Sequence, residues 1–326
     1  MTLPVTTPSH TVHGLSWLRG LASLMVCFFH VKKYIWKEVN PDLFTRLCME
    51  GYLGVYVFFV ISGFVIPYSM HAKQYTVSKF FRFLAKRMLR IEPPYVIFVL
   101  ILFVWTWGLY HWKGWGKPCL YDARQFLLNI TYLAPFFQVK WISLIFWTLA
   151  VEFQFYILTG LSFGLMMKGR TYRYPLMLLF TALGFVIPES YLTVFNNYVY
   201  FLVGFQSFLF YTGNIKWKEY LLSLCCALVY TWFFELEMAV PFVLLTLAGI
   251  HFLNYRSWLS DFLGNISYSL YLTHGLAGGA VAIFSIGVMN ATWTFVTAIA
   301  VSILVAWMYY TLVEKPFLRW SKRLKY

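Results

Sequence analysis

The sequence predicts an all-α fold, a polytopic bundle of about ten transmembrane helices with both termini in the cytoplasm. Three observations predict it. The 326 residues are 60% hydrophobic and 22% aromatic but only 12% charged, about half the charged fraction of an ordinary soluble domain. The apolar residues are gathered into ten runs separated by polar gaps, each a candidate span. The 26 Lys and Arg divide unevenly between alternate gaps, eighteen against eight, and the richer side is the cytoplasmic one by the positive-inside rule. This composition argues for a single transmembrane domain over residues 1–326. A net charge of +14 would point to nucleic acid in a soluble chain. Here the cations fall between apolar runs, so no nucleic-acid partner is expected.

The runs lie at about residues 15–34, 51–70, 94–110, 142–167, 175–187, 196–212, 220–234, 238–253, 263–286 and 292–313. Residues 1–14 hold no Lys or Arg, and no small-residue cleavage site follows the first run. That run is therefore expected to stay in the membrane. It carries Arg19 and His30, eleven residues apart. Eleven steps of ~100° end about 20° past three full turns, so on one helix both side chains leave from nearly the same face, roughly 16 Å apart along the axis. Ionisable groups in such a run are costly and mark functional candidates. A snorkelling Arg at a helix end and a His satisfied by a neighbouring helix account equally well for the spacing.

The second run holds Gly51, Gly54 and Gly63 among aromatic residues, the composition of close helix packing. The gap KQYTVSKFFRFLAKRMLR (residues 73–90) alternates cations with apolar side chains and reads as an interfacial amphipathic helix. In it Lys86, Arg87 and Arg90 cluster, with Arg87 and Arg90 on one face. Such a cluster suits anionic lipid heads or the phosphates of a soluble donor. Glu92-Pro93-Pro94 is expected to end that helix before the third span. Residues 126–138, broken by Asn129 and Pro135, read as a re-entrant or interfacial piece. In FWTLAVEFQFY, Glu152 is a lone carboxylate that requires a cavity, a water or a partner. Glu235 and Glu237 read as a solvated outward turn. In LGNISYSLYLTH, Ser267, Tyr271 and His274 recur on one helical face and line either a helix contact or a cavity.

The cysteines form no disulfide framework. Cys27, Cys225 and Cys226 sit in apolar runs and read as packed small hydrophobes. Cys48 and Cys119 fall in outward gaps, where an oxidising compartment would let them pair. No spaced set of metal ligands is present, so no metal is expected.

Taken together, LRGLASLMVCFFH, GYLGVYVFFVISGFVI, FFRFLAKRMLRIEPPY, WTLAVEFQFY, LGNISYSLYLTH and VEKPF resemble, in order, the strings of the acyltransferase 3 family. These are integral membrane O-acyltransferases that modify bacterial surface glycans. The resemblance runs from Leu18 to Phe317. It implies that the family's Arg/Lys-x10-His motif falls on Arg19 and His30, its R-x-x-R motif on Arg87 and Arg90, and its acid after W-[ST]-L on Glu152. Many relatives have a second acid next to it, where this chain has Phe153. The SGNH hydrolase-like domain fused to many relatives is expected to be absent.

The resemblance further implies an acyl-CoA co-substrate, most simply acetyl-CoA, docked by Arg19, Arg87 and Arg90, with no permanently bound cofactor. It implies His30 as general base, with an acyl-His intermediate as a variant, and Glu152 as a group that orients His30 or binds the acceptor. Tyr271 and His274 stand as cavity-lining candidates. The acceptor would be a hydroxyl of a glycan or lipid-linked saccharide, the surroundings membrane lipid, and the location the bacterial inner membrane. Two other functions stay open on the residues: a transporter or flippase of a lipid-linked or sugar substrate, and a structural membrane subunit whose polar groups join helices. Against the transporter, no internal repeat or symmetric pair of broken helices is visible.

Overall fold

The structure, a computed structural model, describes residues 14–35, 42–113, 123–235, 238–285 and 288–324. Every regular element among them is helical. The principal helices are α1 (Gly14–Ile35), α2 (Leu43–Met49), α3 (Gly54–Ala72), α4 (Phe80–Lys113), α5 (Ala123–Ile130), α6 (Phe146–Lys168), α7 (Arg170–Val186), α8 (Tyr198–Tyr211), α9 (Trp217–Phe234), α10 (Ala239–Phe252), α11 (Trp258–Phe284), α12 (Ala291–Tyr309) and α13 (Lys315–Arg323). Each of the ten apolar runs falls on one of them. Five helical stretches, Gly14–Ile35, Leu43–Ala72, Val77–Trp112, Phe146–Lys168 and Ala291–Arg323, are long and apolar enough to cross a membrane. The protein is thus a multi-pass membrane protein.

Two helix pairs form the frame. α1 packs along α11, which also packs on α12, and α3 packs along α8. Glycines permit both approaches. A Cβ on Gly20 would sit 2.6 Å from the Leu263 Cβ, and one on Gly204 only 2.0 Å from the Val60 carbonyl oxygen. The expected role of the second run's glycines is met at Gly63, whose Cβ would lie 2.2 Å from the Phe201 carbonyl oxygen. Beside that crossing Phe201 stacks between Phe59 and Phe155, with ring centroids 4.7 and 4.1 Å away. Offset aromatic stacking of this kind adds about 0.5–1.5 kcal/mol per pair beyond the area it buries.

The structure corrects three expectations. Pro93 and Pro94 do not end the amphipathic helix, because α4 runs through them without a break. Pro93 and Pro94 lack the N–H groups that would bond the Leu89 and Arg90 carbonyls, and side chains from distant parts of the chain brace the adjoining stretch. Here the Tyr268 hydroxyl, from α11, donates to the Ile91 carbonyl at 2.8 Å, and the Tyr309 hydroxyl donates to that of Pro94. Cys225 and Cys226 are exposed on α9 rather than packed. Glu235 is half-buried and accepts a hydrogen bond from Tyr230 instead of being solvated. Glu237 and Cys119 lie outside the described residues, and with Cys119 the proposed pairing to Cys48.

The segment at residues 126–138, expected to be re-entrant or interfacial, is built around Asn129. Its side chain is fully buried, donates to the Gln125 and Lys140 carbonyls and accepts from the Ile142 backbone N–H at 2.9 Å. These bonds satisfy the backbone of a break that would otherwise be costly away from water. They also hold the chain that enters α6, and so help set the position of Thr148 and Glu152.

Candidate active site

α1 is one unbroken helix, so the spacing of Arg19 and His30 translates directly into geometry. Arg19 lies near its start and His30 about 16 Å further along the axis. Each meets a different group of partners.

Arg19 faces a cavity of about 190 Å³ between α1, α3, α4, α6 and α11. Arg87 and Arg90 line the same cavity from α4, one helical turn apart, and Glu152 lines it from α6. The structure brings the three arginines of the expected dock together, and it places Glu152, expected to orient His30 or bind the acceptor, with them. Three guanidinium groups share a small enclosed space with one carboxylate. That carboxylate is engaged at Oε1, accepting from the Ser62 hydroxyl at 2.8 Å and from the Tyr156 hydroxyl at 2.6 Å. Neither ion pair found among the described residues, Arg170–Glu219 and Arg256–Asp261, involves the cavity. The Arg87 guanidinium lies over the Tyr156 ring, 5.8 Å from its centroid, and its Nε is buried without a hydrogen-bond partner. A buried cationic donor left unmatched is costly, and an anion entering the cavity would relieve it. Lys86, the third member of the basic cluster, turns away and donates to the Leu324 carbonyl at 2.8 Å.

Sequence reasoning missed Glu314. It closes a π-helical turn, Tyr310–Glu314, between α12 and α13, a feature frequent at functional sites. It is 2% exposed, accepts from the Ser269 hydroxyl at 2.6 Å and interacts electrostatically with Arg19 and Arg90. Its signal was present: a single carboxylate ends the last apolar run, just before Pro316. Followed by Lys315, Arg319, Lys322, Arg323 and Lys325, a lone carboxylate does not stand out.

His30 meets a second imidazole. Its ring centroid is 5.0 Å from that of His274 on α11. His274 is fully buried. Its Nδ1 lies 2.9 Å from the Leu270 carbonyl oxygen, which only accepts, so Nδ1 carries the hydrogen and Nε2 presents a lone pair. That Nε2 is buried with no partner. The predicted polar stripe divides accordingly. Ser267 spends its hydroxyl on the Gly264 carbonyl of its own helix. Tyr271 reaches α6, donating to the Ile145 carbonyl at 3.0 Å and lying 2.6 Å from the Thr148 hydroxyl. His274 faces His30. Glu152 makes its hydrogen bonds inside the arginine cavity, whereas the ring that meets His30 from another helix is that of His274.

The arrangement has two parts, a cavity lined by three arginines and one carboxylate and an imidazole pair, joined by one helix. No group of His, Cys, Asp and Glu suited to a metal ion occurs among the described residues.

Residues 12–311 match the family described as an acyltransferase domain, Acyl_transf_3. Over half of its length the chain is 28% identical to the acyltransferase MdmB of Streptomyces mycarofaciens, of which it covers 41%. Over 94% of its length it is 22% identical to a protein named "Putative O-acetyltransferase" of Staphylococcus aureus strain COL, and over 93% it is 23% identical to another of that name from strain MSSA476; it covers 57% of each. The chain thus spans about half the length of these curated relatives. No solved structure matches it. With a family match that takes in every one of α1 to α12, including the whole stretch from Arg19 to His274, this chain belongs to the Acyl_transf_3 acyltransferase family.

Proposed function

We propose that the protein is a membrane O-acyltransferase of the bacterial inner membrane, with ten spans and both termini in the cytoplasm. It moves an acyl group, most simply acetyl, from acyl-CoA to a hydroxyl of a cell-surface glycan or lipid-linked saccharide. The observation that carries this reading is the arginine cavity. Arg19, Arg87 and Arg90 surround it, and the buried Nε of Arg87 has no partner. Guanidinium groups bind phosphate oxygens through paired, charge-assisted hydrogen bonds, and coenzyme A is a polyanion with a long, flexible arm. Docked by its phosphates at Arg19, Arg87 and Arg90, it extends that arm along α1 and brings the thioester toward His30.

The chemistry assigned to His30 is that of a general base. Its imidazole takes the proton of the acceptor hydroxyl as the oxygen attacks the thioester carbonyl carbon. A C–O bond forms. The tetrahedral intermediate then collapses, the C–S bond breaks and the sulfur leaves with the proton returned from His30. The products are the O-acyl ester and free coenzyme A. His274 acts as a positioning residue, its Nε2 lone pair available to the imidazolium that forms transiently at His30. Glu152 belongs to the donor cavity, where it holds Tyr156 against Arg87.

Saturable binding of acetyl-CoA to detergent-purified protein, together with an acyl mass on envelope glycans that appears only when the protein is expressed, tests the proposal. A protein that binds no acyl-CoA would return the arginines to a lipid-anchoring role.

A further inference from the structure

A second cavity, of about 570 Å³, lies beyond the histidine pair. Four elements carry residues of both cavities, and along each the two sets occupy separate stretches, in reversed chain order at α6. On α1 Arg19 lines the first cavity and Tyr34 the second, with His30 between them. On α11 Tyr268 and Tyr271 line the first and Leu272, Gly275 and Gly279 the second, with His274 within one turn of the boundary. On α4 Arg87, Arg90 and Ile91 line the first, and Phe98, Leu102 and Trp105 the second. At α6 Thr148 and Glu152 line the first, while Ile145, just before the helix, lines the second. The two cavities are therefore stacked along one direction. The partition between them is the layer that holds His30, His274 and the hydrogen bond from Tyr271 to Ile145.

Their chemistry differs sharply. The first carries three cations and a carboxylate, whereas no charged residue occurs among the described residues lining the second. Its wall is apolar and aromatic, with hydroxyls at Tyr34, Thr106, Ser143, Ser285 and Thr294. The space is made by small residues on α11. A Cβ on Gly275 or Gly279 would lie 3.7 Å from Tyr34, an ordinary contact, so the emptiness is not a forced crossing of the two helices. Its volume falls in the range of about 300–1,000 Å³ typical of small-molecule sites.

From this stacking we infer that the second cavity is the acceptor site, and that it takes an uncharged, hydroxyl-bearing acceptor with an apolar face, such as a neutral glycosyl unit. The inference rests on the donor and base assigned above. Among the described lining residues, cations to match the donor's anion occur in the first cavity and not in the second, so the partner substrate approaches the histidine layer from the opposite side. Bringing a carboxylate or phosphate against this described lining, which carries no countercharge, would cost several kcal/mol. Acidic sugars and phosphorylated units are therefore excluded at the reacting residue. Sequence alone left the acceptor open among all glycan classes, and this narrows it by charge.

Two measurements test the inference. In a chain whose native cysteines are replaced by serine, Ala280→Cys places a thiol on the second cavity. With each rate divided by that for free cysteine, neutral hydroxyethyl methanethiosulfonate is expected to label it at least tenfold faster than sulfonatoethyl methanethiosulfonate. Equal rates, or no labelling by either reagent, would overturn the neutral cavity. Separately, Ala280→Phe is expected to lower acyl transfer to envelope glycans at least tenfold, while acetyl-CoA binding stays within twofold of the parent. Val296→Phe, on an exposed position of α12, is expected to change neither. Undiminished transfer in Ala280→Phe would remove the acceptor site from this cavity while leaving the donor dock intact. A parent protein that binds no acetyl-CoA would instead sink the transferase reading itself, with the labelling result unaffected.

Discussion

The imidazole of His30 on α1 faces that of His274 on α11 with ring centroids 5.0 Å apart, although the two residues are 244 positions apart in the chain. The hydrogen bond from Nδ1 of His274 to the Leu270 carbonyl leaves Nε2 as the acceptor. A base that gains a proton in a low-dielectric layer benefits from such a neighbour. His30→Gln is therefore expected to lower acyl transfer by about 10²–10⁴-fold, the usual contribution of a general base, with acetyl-CoA binding retained. His274→Gln is expected to lower turnover by less and to leave the donor concentration at half-saturation unchanged. Retention of most activity by His30→Gln at saturating donor would move the base elsewhere.

The donor dock predicts a different defect. Arg87→Ala and Arg90→Ala should each weaken acetyl-CoA binding by about 1–3 kcal/mol, the worth of a hydrogen bond to a charged group. Lysine at either position should restore only part of it, because the bidentate fork is lost. Lys86→Ala should bind as the parent does, since Lys86 is turned toward the Leu324 carbonyl. Titration of the purified variants by calorimetry distinguishes these outcomes, and equal losses at all three positions would contradict a specific dock.

Glu314 is expected to stabilise the cation cluster. Glu314→Gln keeps an acceptor for Ser269 but removes the negative charge that balances Arg19 and Arg90. A loss of about 1–3 kcal/mol is the scale for disturbing a buried charge network of this kind. It should appear as a lower melting temperature in detergent, partly recovered by added coenzyme A, whose phosphates would supply the missing charge. No recovery at saturating coenzyme A would separate Glu314 from the donor cavity.

The glycines give a control on the fold. Gly204→Ala places a Cβ 2.0 Å from the Val60 carbonyl oxygen, whereas a Cβ at Gly164 meets nothing within 4 Å. Overpacking of this sort costs about 1–3 kcal/mol and sometimes more. Gly204→Ala should reduce the yield of monodisperse protein, and Gly164→Ala should not. Similar yields from both would mean that the α3–α8 crossing relaxes freely.

Topology is testable without substrate. With ten spans and cytoplasmic termini, reporters fused after Asn290 and at the C-terminus should report opposite sides of the membrane. An outward C-terminus would invert the proposed route of donor and acceptor.

By itself, the sequence determined the helical class, the ten apolar segments and the placing of Arg19 and His30 on one face. These depend on local periodicity and composition, which short stretches of chain carry in full. Arg87 and Arg90 were legible for the same reason, being one turn apart on one helix. Tertiary structure alone decided what those faces meet. Nothing near Arg19 in the chain points to Glu314, and nothing near His30 points to His274, because contacts between distant helices are set by packing rather than by periodicity. The passage of α4 through Pro93 and Pro94 was illegible too, since the hydroxyls that engage the nearby carbonyls of Ile91 and Pro94 come from Tyr268 and Tyr309, far along the chain. The two stacked cavities depend on side chains from α1, α4, α6 and α11 together. An enclosed space is a property of the assembled helices, and no single segment encodes it.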